Sequence, residues 1–225
     1  MKKLIEGALQ FQREIFPQQR ELYRQLATSQ SPRWLFIACS DSRVMPSVLV
    51  QTGPGELFIC RNAGNIVPAH GDSSGGVAAT IEYAVQVLQV KHIIVCGHSD
   101  CGAMKAVLHP EKVASLPAVA KWVGYAERAR AVVLESTNGD SEARLLDRLT
   151  QENVLAQLDN LRTLPCVAAK LKTKALAIHG WLYDIEHGEF RMWDAAADAW
   201  RPLHEPADGS PSTPRAAAAM EVRNA

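Results

Sequence analysis

Two apolar runs in this sequence end in residues that bind soft metals. Trp34-Leu35-Phe36-Ile37-Ala38 leads into Cys39-Ser40-Asp41-Ser42-Arg43, and Ile93-Ile94-Val95-Cys96 leads into Gly97-His98-Ser99-Asp100-Cys101-Gly102. Cys39, His98 and Cys101 offer two thiolates and an imidazole. Three such ligands with one open position are the usual composition of a catalytic zinc site, and the softness of the donors favours zinc over magnesium or calcium. His98 and Cys101 can grip one ion from a loop that enters a helix, and a helix N-terminus at Gly102 favours the thiolate of Cys101. The chemistry on offer is activation of a water, whose pKa zinc lowers to about 7, giving a hydroxide nucleophile near neutral pH.

Asp41 and Arg43 stand beside the first thiol. Asp41 could be a fourth ligand. It could instead pair with Arg43, leaving a solvent molecule on the metal and a carboxylate to orient it or accept its proton. A loop-stabilising ion pair is the plain alternative, and the neighbouring metal ligands favour the functional role. Cys60, Cys96 and Cys166 read as core residues, and His70, His92, His109, His187 and His204 as surface residues. His179 reads as a packing or hydrogen-bonding residue, and Arg61-Asn62 either line the crevice or satisfy loop carbonyls.

The elements that must hold these residues follow from periodicity. Strands are expected at 34–38, 56–60, 92–96 and 175–178, with 189–193 returning as a hairpin partner. Helical spacing covers 77–88, 102–108, 117–136, 141–164 and a short stretch at 167–171. Alternation of strand and helix across 34–108 predicts an α/β fold: a mostly parallel central sheet of four strands with an antiparallel edge strand and helices on both faces. Such sheets bind ligands at the carboxyl ends of strands, where Cys39 and His98 fall. Residues 4–29 form an N-terminal helical arm, broken or kinked at Pro17, that either packs on a partner subunit or covers its own sheet. The expected organisation is one domain over 1–205, with 1–30 as the arm and 206–225 as a flexible tail.

Bulk composition excludes several function classes. Lys+Arg and Asp+Glu balance at 24 each, so no global field attracts nucleic acid or an anionic membrane. No apolar run approaches the length of a membrane span. The start, Met1-Lys2-Lys3-Leu4-Ile5-Glu6, becomes charged too soon for a secretory signal, and five cysteines are an odd set for a disulfide framework. The expected location is the cytoplasm, which keeps Cys39 and Cys101 reduced.

Three ordered motifs then carry a resemblance. Cys39-Ser40-Asp41-Ser42-Arg43, Gly55-Glu56-Leu57-Phe58 with Arg61-Asn62-Ala63-Gly64-Asn65, and Gly97-His98-Ser99-Asp100-Cys101-Gly102 resemble the signature set of β-class carbonic anhydrases, nearest to bacterial members associated with cyanate metabolism. The likeness runs from the N-terminal helices to about Trp193 and includes His179-Gly180-Trp181-Leu182-Tyr183-Asp184. It implies reversible hydration of carbon dioxide to bicarbonate and a proton, with zinc on Cys39, His98 and Cys101 and with Asp41 and Arg43 as the catalytic dyad. It also implies a homodimer assembling to a tetramer or higher, its N-terminal helices embracing the partner.

Members of that family divide by resting site. In one group the Asp can ligate zinc, and a bicarbonate held by Trp, Arg and Tyr stabilises the inactive form. Arg61 and Tyr183 match two of that set, but Phe36 occupies the Trp position and Ala38 precedes the Cys in place of Gly. In the plant-like group the Asp stays on its Arg. Gln30, Phe58, Ala63, Tyr83 and Gly102 match substrate-contacting positions of that group, with Ala63 replacing Val and Gln30 reaching across the dimer. The resemblance therefore favours the open site. The apolar residues suit a small apolar substrate, and the Gly102 N–H and Gln30 amide suit bicarbonate oxygens. Two other readings remain on sequence alone: hydrolysis of carbonyl sulfide or carbon disulfide on the same scaffold, and a catalytically silent zinc-stabilised protein.

Overall fold

The computed structural model describes residues 1–72, 75–136 and 139–203. The expected tail at 206–225 and the last residues of the domain reading lie outside the described residues. The chain opens with α1 (Lys2–Gln10), a π-helical turn at Phe11–Ile15, α2 (Phe16–Gln18) and α3 (Arg20–Leu26). With Gln19 at φ −113° and ψ 15° between α2 and α3, and the Tyr23 ring folded back to 5.7 Å from Phe11, the arm breaks, as expected, just after Pro17. The wider π turn just before it accommodates a residue that lacks an N–H and whose ring crowds the carbonyl four residues back. None of these helices buries a residue within the chain, and Leu4, Ile5, Leu9, Phe11, Ile15 and Leu22 are exposed. The arm therefore does not cover its own sheet.

One six-stranded sheet follows, in the order β2-β1-β3-β4-β5-β6. Its strands are β1 (Trp34–Cys39), β2 (Leu57–Asn62), β3 (His92–His98), β4 (Ala177–Tyr183), β5 (Phe190–Asp194) and β6 (Ala199–Pro202). The first four run parallel, and β5 and β6 add two antiparallel strands. The expected fold class holds, with β6 as an additional edge strand. Its four residues alternate too briefly to show a period, and Trp200 is placed by packing against Trp193. His179 lies within β4 rather than after it. The strand runs on through Trp181 and Tyr183 because Gly180 sits under α9, where a Cβ would come 3.0 Å from Val154.

The crossovers are helical. α4 (Pro46–Leu49) links β1 to β2, and α5 (Gly76–Glu82) with a second π turn links β2 to β3. Between β3 and β4 run α6 (Gly102–Leu108), α7 (Pro117–Val123), α8 (Glu127–Glu135), α9 (Glu142–Thr163) and α10 (Pro165–Lys172). α9 starts at Ser141, whose hydroxyl accepts from the Arg144 N–H, with Glu142 in the first turn against the helix dipole. Its apolar stripe of Val154, Leu158 and Leu161 joins Leu35, Ile37, Ile93 and Val95 in the main core. Each such side chain contributes about 1.5–3 kcal/mol when fully buried. α9 crosses β3 closely: a Cβ at Gly97 would lie 2.9 Å from Val154 Cγ2. The opposite sheet face, with Phe36, Ala38, Ile94 and Cys96, meets Val44 and Leu49 from the α4 region and Phe190 of β5. A cleft of about 400 Å³ on that face lies between Trp34, Leu57, His92, His179 and Trp181.

After β1 the chain crosses to β2 on one side, then returns to place β3 on the other. The strand order thus reverses between β1 and β3, the place where parallel sheets open a crevice. The register Ala38↔Cys96 sets Cys39 and His98 just beyond the same rung.

Candidate metal centre

Cys39 ends β1, His98 ends β3, and Cys101 caps α6. Between the last two, Asp100 adopts a left-handed φ of 55°, which turns the chain sharply enough for both side chains to face Cys39. The three are buried, with exposures of 5%, 1% and 1%, and their ligand atoms lie within 4.8 Å of one another. Among the described residues this is the one group of three or more His, Cys, Asp or Glu so placed. The Sγ–Sγ separation is 4.0 Å. Tetrahedral geometry with zinc–sulfur bonds of about 2.3 Å requires about 3.8 Å between sulfurs.

His98 supplies the decisive atom. Its Nδ1 lies 2.9 Å from the Ser99 carbonyl, which can only accept, so Nδ1 carries the proton and Nε2 a bare lone pair. That Nε2 is buried and has no hydrogen-bond partner. A buried, orphaned acceptor facing two thiols is costly unless something electropositive sits there. The donor set fits a zinc ion.

The thiols are polarised to match. Cys39 is lowered to about 4, first by its hydrogen bond with Cys101, against the cost of burial, and further by the Gly64 N–H at 3.3 Å. Cys101 moves the other way, raised by its hydrogen bond to Cys39 and by burial. The two sulfurs thus act as a coupled pair, and a divalent cation bound between them would favour both thiolates.

Asp41 is turned aside from this group. Arg43 donates from Nε to Asp41 Oδ1 at 3.0 Å and from Nη2 to Oδ2 at 2.8 Å, and its backbone N–H also reaches Oδ1 at 3.0 Å. The guanidinium holds the Asp41 carboxyl well below the usual carboxylate range. Asp41 Oδ2 still lies 3.9 Å from His98 Nε2, at the border of the metal position. Arg43 also meets Asp100, through Nη1 to Oδ2 at 3.2 Å and Nη2 to the carbonyl at 3.3 Å.

Arg61 satisfies loop carbonyls rather than lining a pocket. Its Nε donates to the Cys39 carbonyl at 3.0 Å and its Nη2 to the Asp41 carbonyl at 2.8 Å, pinning the motif's backbone to β2. The turn at 63–67 is held in turn by Asn62, which bonds both the N–H and carbonyl of Ile66. Gly64 has a φ of 81°, and a Cβ there would meet Ala103 at 2.9 Å. Behind the turn, α9 contributes Asn153 to the Gly64 carbonyl, Gln157 to the Val67 N–H and Asn160 to the Val67 carbonyl. The sequence reading missed this polar ladder. Its signal was present: Asn153, Gln157 and Asn160 recur at helical spacing on the stripe occupied by Val154 and Leu161.

Of the other expected site residues, Gly102 begins α6 beside Cys101 with open space where a Cβ would be. Ala63 follows β2, its carbonyl fixed by the Trp122 indole N–H at 2.8 Å. Phe58 and Tyr83 touch each other, ring centroids 5.9 Å apart, but not the cysteines. Phe58 pairs with Leu35, four residues before Cys39, about 13 Å along the strand. Gln30 is exposed between α3 and β1. Cys60 and Cys96 are core residues as expected. His92, expected at the surface, is half-buried because its Nδ1 lies 3.1 Å from His179 Nε2.

A sequence model of the carbonic anhydrase family matches residues 34–190, which include all three metal-site residues. The chain belongs to the β-carbonic anhydrase family. A carbonic anhydrase of Pseudomonas aeruginosa is 53% identical over 205 residues, covering 91% of this chain and 93% of the relative. The structure of the β-carbonic anhydrase CcaA superposes with a TM-score of 0.88 at 42% identity, over 90% of this chain and 99% of that one. Two tetrameric β-carbonic anhydrases of Sordaria macrospora are represented by a chain with a TM-score of 0.76 at 29% identity, covering 85% of this chain and 95% of that one. β-Carbonic anhydrases use zinc, and in this chain the group suited to it is the Cys–His–Cys cluster at the strand ends.

Proposed function

We infer that this protein is a carbonic anhydrase that interconverts carbon dioxide and bicarbonate with release or uptake of a proton. The observation that carries the reading is the buried Cys39–His98–Cys101 cluster with Asp41 held beside it by Arg43. Zinc held by those three residues supplies Lewis-acid activation of water. Asp41, fixed on Arg43, accepts a hydrogen bond from the reacting water, orients it, and can take its proton. The Gly102 N–H offers a donor to a bicarbonate oxygen at the mouth of the site.

The reading extends to assembly. Gln30, Phe58 and Tyr83 are placed away from the cysteines within one chain, and the arm leaves its apolar side chains exposed. A homodimer in which the arm at 1–30 lies on a second copy would bring these residues to the partner's site and complete an apolar slot with Ala63. The tetrameric relatives from Sordaria macrospora support further assembly. Arg61 is committed to two loop carbonyls and Phe36 is fully buried against Trp181, which supports an open site without a regulatory bicarbonate. A cytoplasmic location accords with the free cysteines. Among the described residues no helix is long and apolar enough to cross a membrane. The motif residues also support placement beside the cyanate-associated bacterial members.

Stopped-flow hydration of carbon dioxide with zinc-loaded protein at mildly alkaline pH tests the activity. Failure to accelerate hydration would remove the reading. Asp41→Ala should retain the metal and lose most turnover; unchanged turnover would remove the dyad role.

A further inference from the structure

Arg61 pins the backbone at Asp41 and the Arg43 N–H reaches Oδ1, but Arg43 and Asp41 lie two residues apart on one loop, so their pairing does not fix the guanidinium against the loop that carries His98 and Cys101. Such a pair can move as a body. The Arg43 side chain is 44% exposed, and an ion pair at that exposure is a weak restraint by itself. Asp41 Oδ2, at 3.9 Å from His98 Nε2, is about 0.5 Å beyond the ligand–ligand separation of a tetrahedral zinc shell with nitrogen and oxygen donors. A small swing of the pair would put the carboxylate on the metal and close the open position.

Asp100 supplies the missing anchor. Its carboxylate and carbonyl take Arg43 from the second ligand loop, the one that carries His98 and Cys101. Together with Asp41 they direct four of the five guanidinium N–H groups, leaving the fork one orientation. Asp100 is itself held: its other carboxylate oxygen pairs with Lys105 of α6. The helix backbone fixes where Lys105 starts, with the Lys105 N–H on the Cys101 carbonyl at 3.0 Å. Charges therefore alternate along Asp41, Arg43, Asp100 and Lys105. Lys105 neutralises Asp100, which leaves the Arg43 charge for Asp41 and offsets repulsion between Asp100 and the neighbouring thiolate.

We propose that Asp100, locked by Lys105, is a positioning residue that ties Arg43 across the two ligand loops and so keeps the Asp41 carboxylate off the metal. The proposal rests on the zinc and dyad reading given above. Two independent elements converge on one guanidinium, and the carboxylate they restrain stands within reach of the metal position.

The test uses full-length protein loaded with zinc or cobalt(II), in the variants Asp100→Ala, Asp100→Glu and Lys105→Met, and in Asp100→Ala combined with Asp41→Ala. Metal content, kcat and KM for hydration, and the visible spectrum of the cobalt form are measured. Asp100→Ala should retain one metal per chain and lose about 10- to 100-fold in kcat with little change in KM, as expected for groups that orient a metal site's partners. Its cobalt spectrum should change to that of a site with a carboxylate in the fourth position. Adding Asp41→Ala should restore the original spectrum, because the intruding group is gone. Lys105→Met should show a weaker form of both effects, and Asp100→Glu a partial rescue. An unchanged cobalt spectrum in Asp100→Ala would overturn the proposal, as would loss of the metal, which would make Asp100 a structural support only. If the parent protein binds cobalt but hydrates no carbon dioxide, the functional reading fails alone, since the spectral comparison still decides the positioning role.

Discussion

Replacing Gln157 by Met should cost the protein about 1–5 kcal/mol of stability. Gln157 is fully buried on α9. Its Oε1 accepts from the Val67 N–H at 2.8 Å, and its Nε2 donates to Asn153 Oδ1 at 2.8 Å. Met preserves length and volume, so no cavity opens and the change isolates the polar contribution. Two buried groups lose their partner, Val67 N–H and Asn153 Oδ1, at about 1–3 kcal/mol each. Asn160 loses only a long bond of 3.3 Å and keeps the Val67 carbonyl at 2.9 Å. Burying a more apolar side chain returns about 1 kcal/mol. The net is a large part of a typical stability of about 5–15 kcal/mol. Urea unfolding of the metal-loaded protein at fixed concentration measures it, and the midpoint should fall with an unchanged slope. Gln157→Met combined with Asn153→Leu should cost less than the sum of the two, because the second change removes an orphaned acceptor. A loss below about 1 kcal/mol, or strict additivity of the pair, would refute the reasoning.

Cys101→Ala should lose metal and hydration activity together, read by metal analysis and stopped-flow assay on the same preparation. Gln30→Ala should lower turnover with the metal retained and the unfolding midpoint unchanged; unaltered kinetics would make Gln30 a turn residue only. His179 is held below its ordinary value by burial and then by His92, so the native state keeps it neutral where the unfolded chain takes up a proton. Its contribution to stability is therefore complete above about pH 6.5 and is lost as the pH falls toward the lower folded value. His179→Gln should flatten that acid-side decline in urea midpoint, and an unchanged slope would show that the decline arises elsewhere.

The strands that bear the ligands were legible because both faces of β1 and β3 are buried, which writes unbroken apolar runs into Trp34–Ala38 and Ile93–Cys96. Cys39, His98 and Cys101 were legible because soft ligands past strand ends are chemically unusual. Asp41 was ambiguous, since one residue type serves as ligand or as proton acceptor. In the fold its carboxylate is paired with the Arg43 guanidinium through two hydrogen bonds, a contact that spacing alone does not reveal. β6 and the inward extension of β4 were not legible. The first is four residues long, and the second carries Gly180, which in sequence reads as a break and in the fold is a close crossing under α9. The α9 ladder escaped because polar residues on an apolar stripe gain meaning only from partners some ninety positions earlier. Gln30, Phe58 and Tyr83 form no site with the cysteines in one chain, and nothing in their spacing along the sequence says so.

The brace behind the metal centre has a consequence for how the protein is made. Asn153 reaches back 89 residues to hold Gly64, whose N–H points at the Cys39 sulfur. A chain synthesised from its N-terminus presents both thiols and the imidazole well before α9 has emerged. At that stage the donors can meet a cation, but the turn that polarises Cys39 has no backing. The backing of Cys39 thus depends on Asn153, a helix residue made more than fifty residues after Cys101, so the full geometry of the cluster is a property of the finished fold.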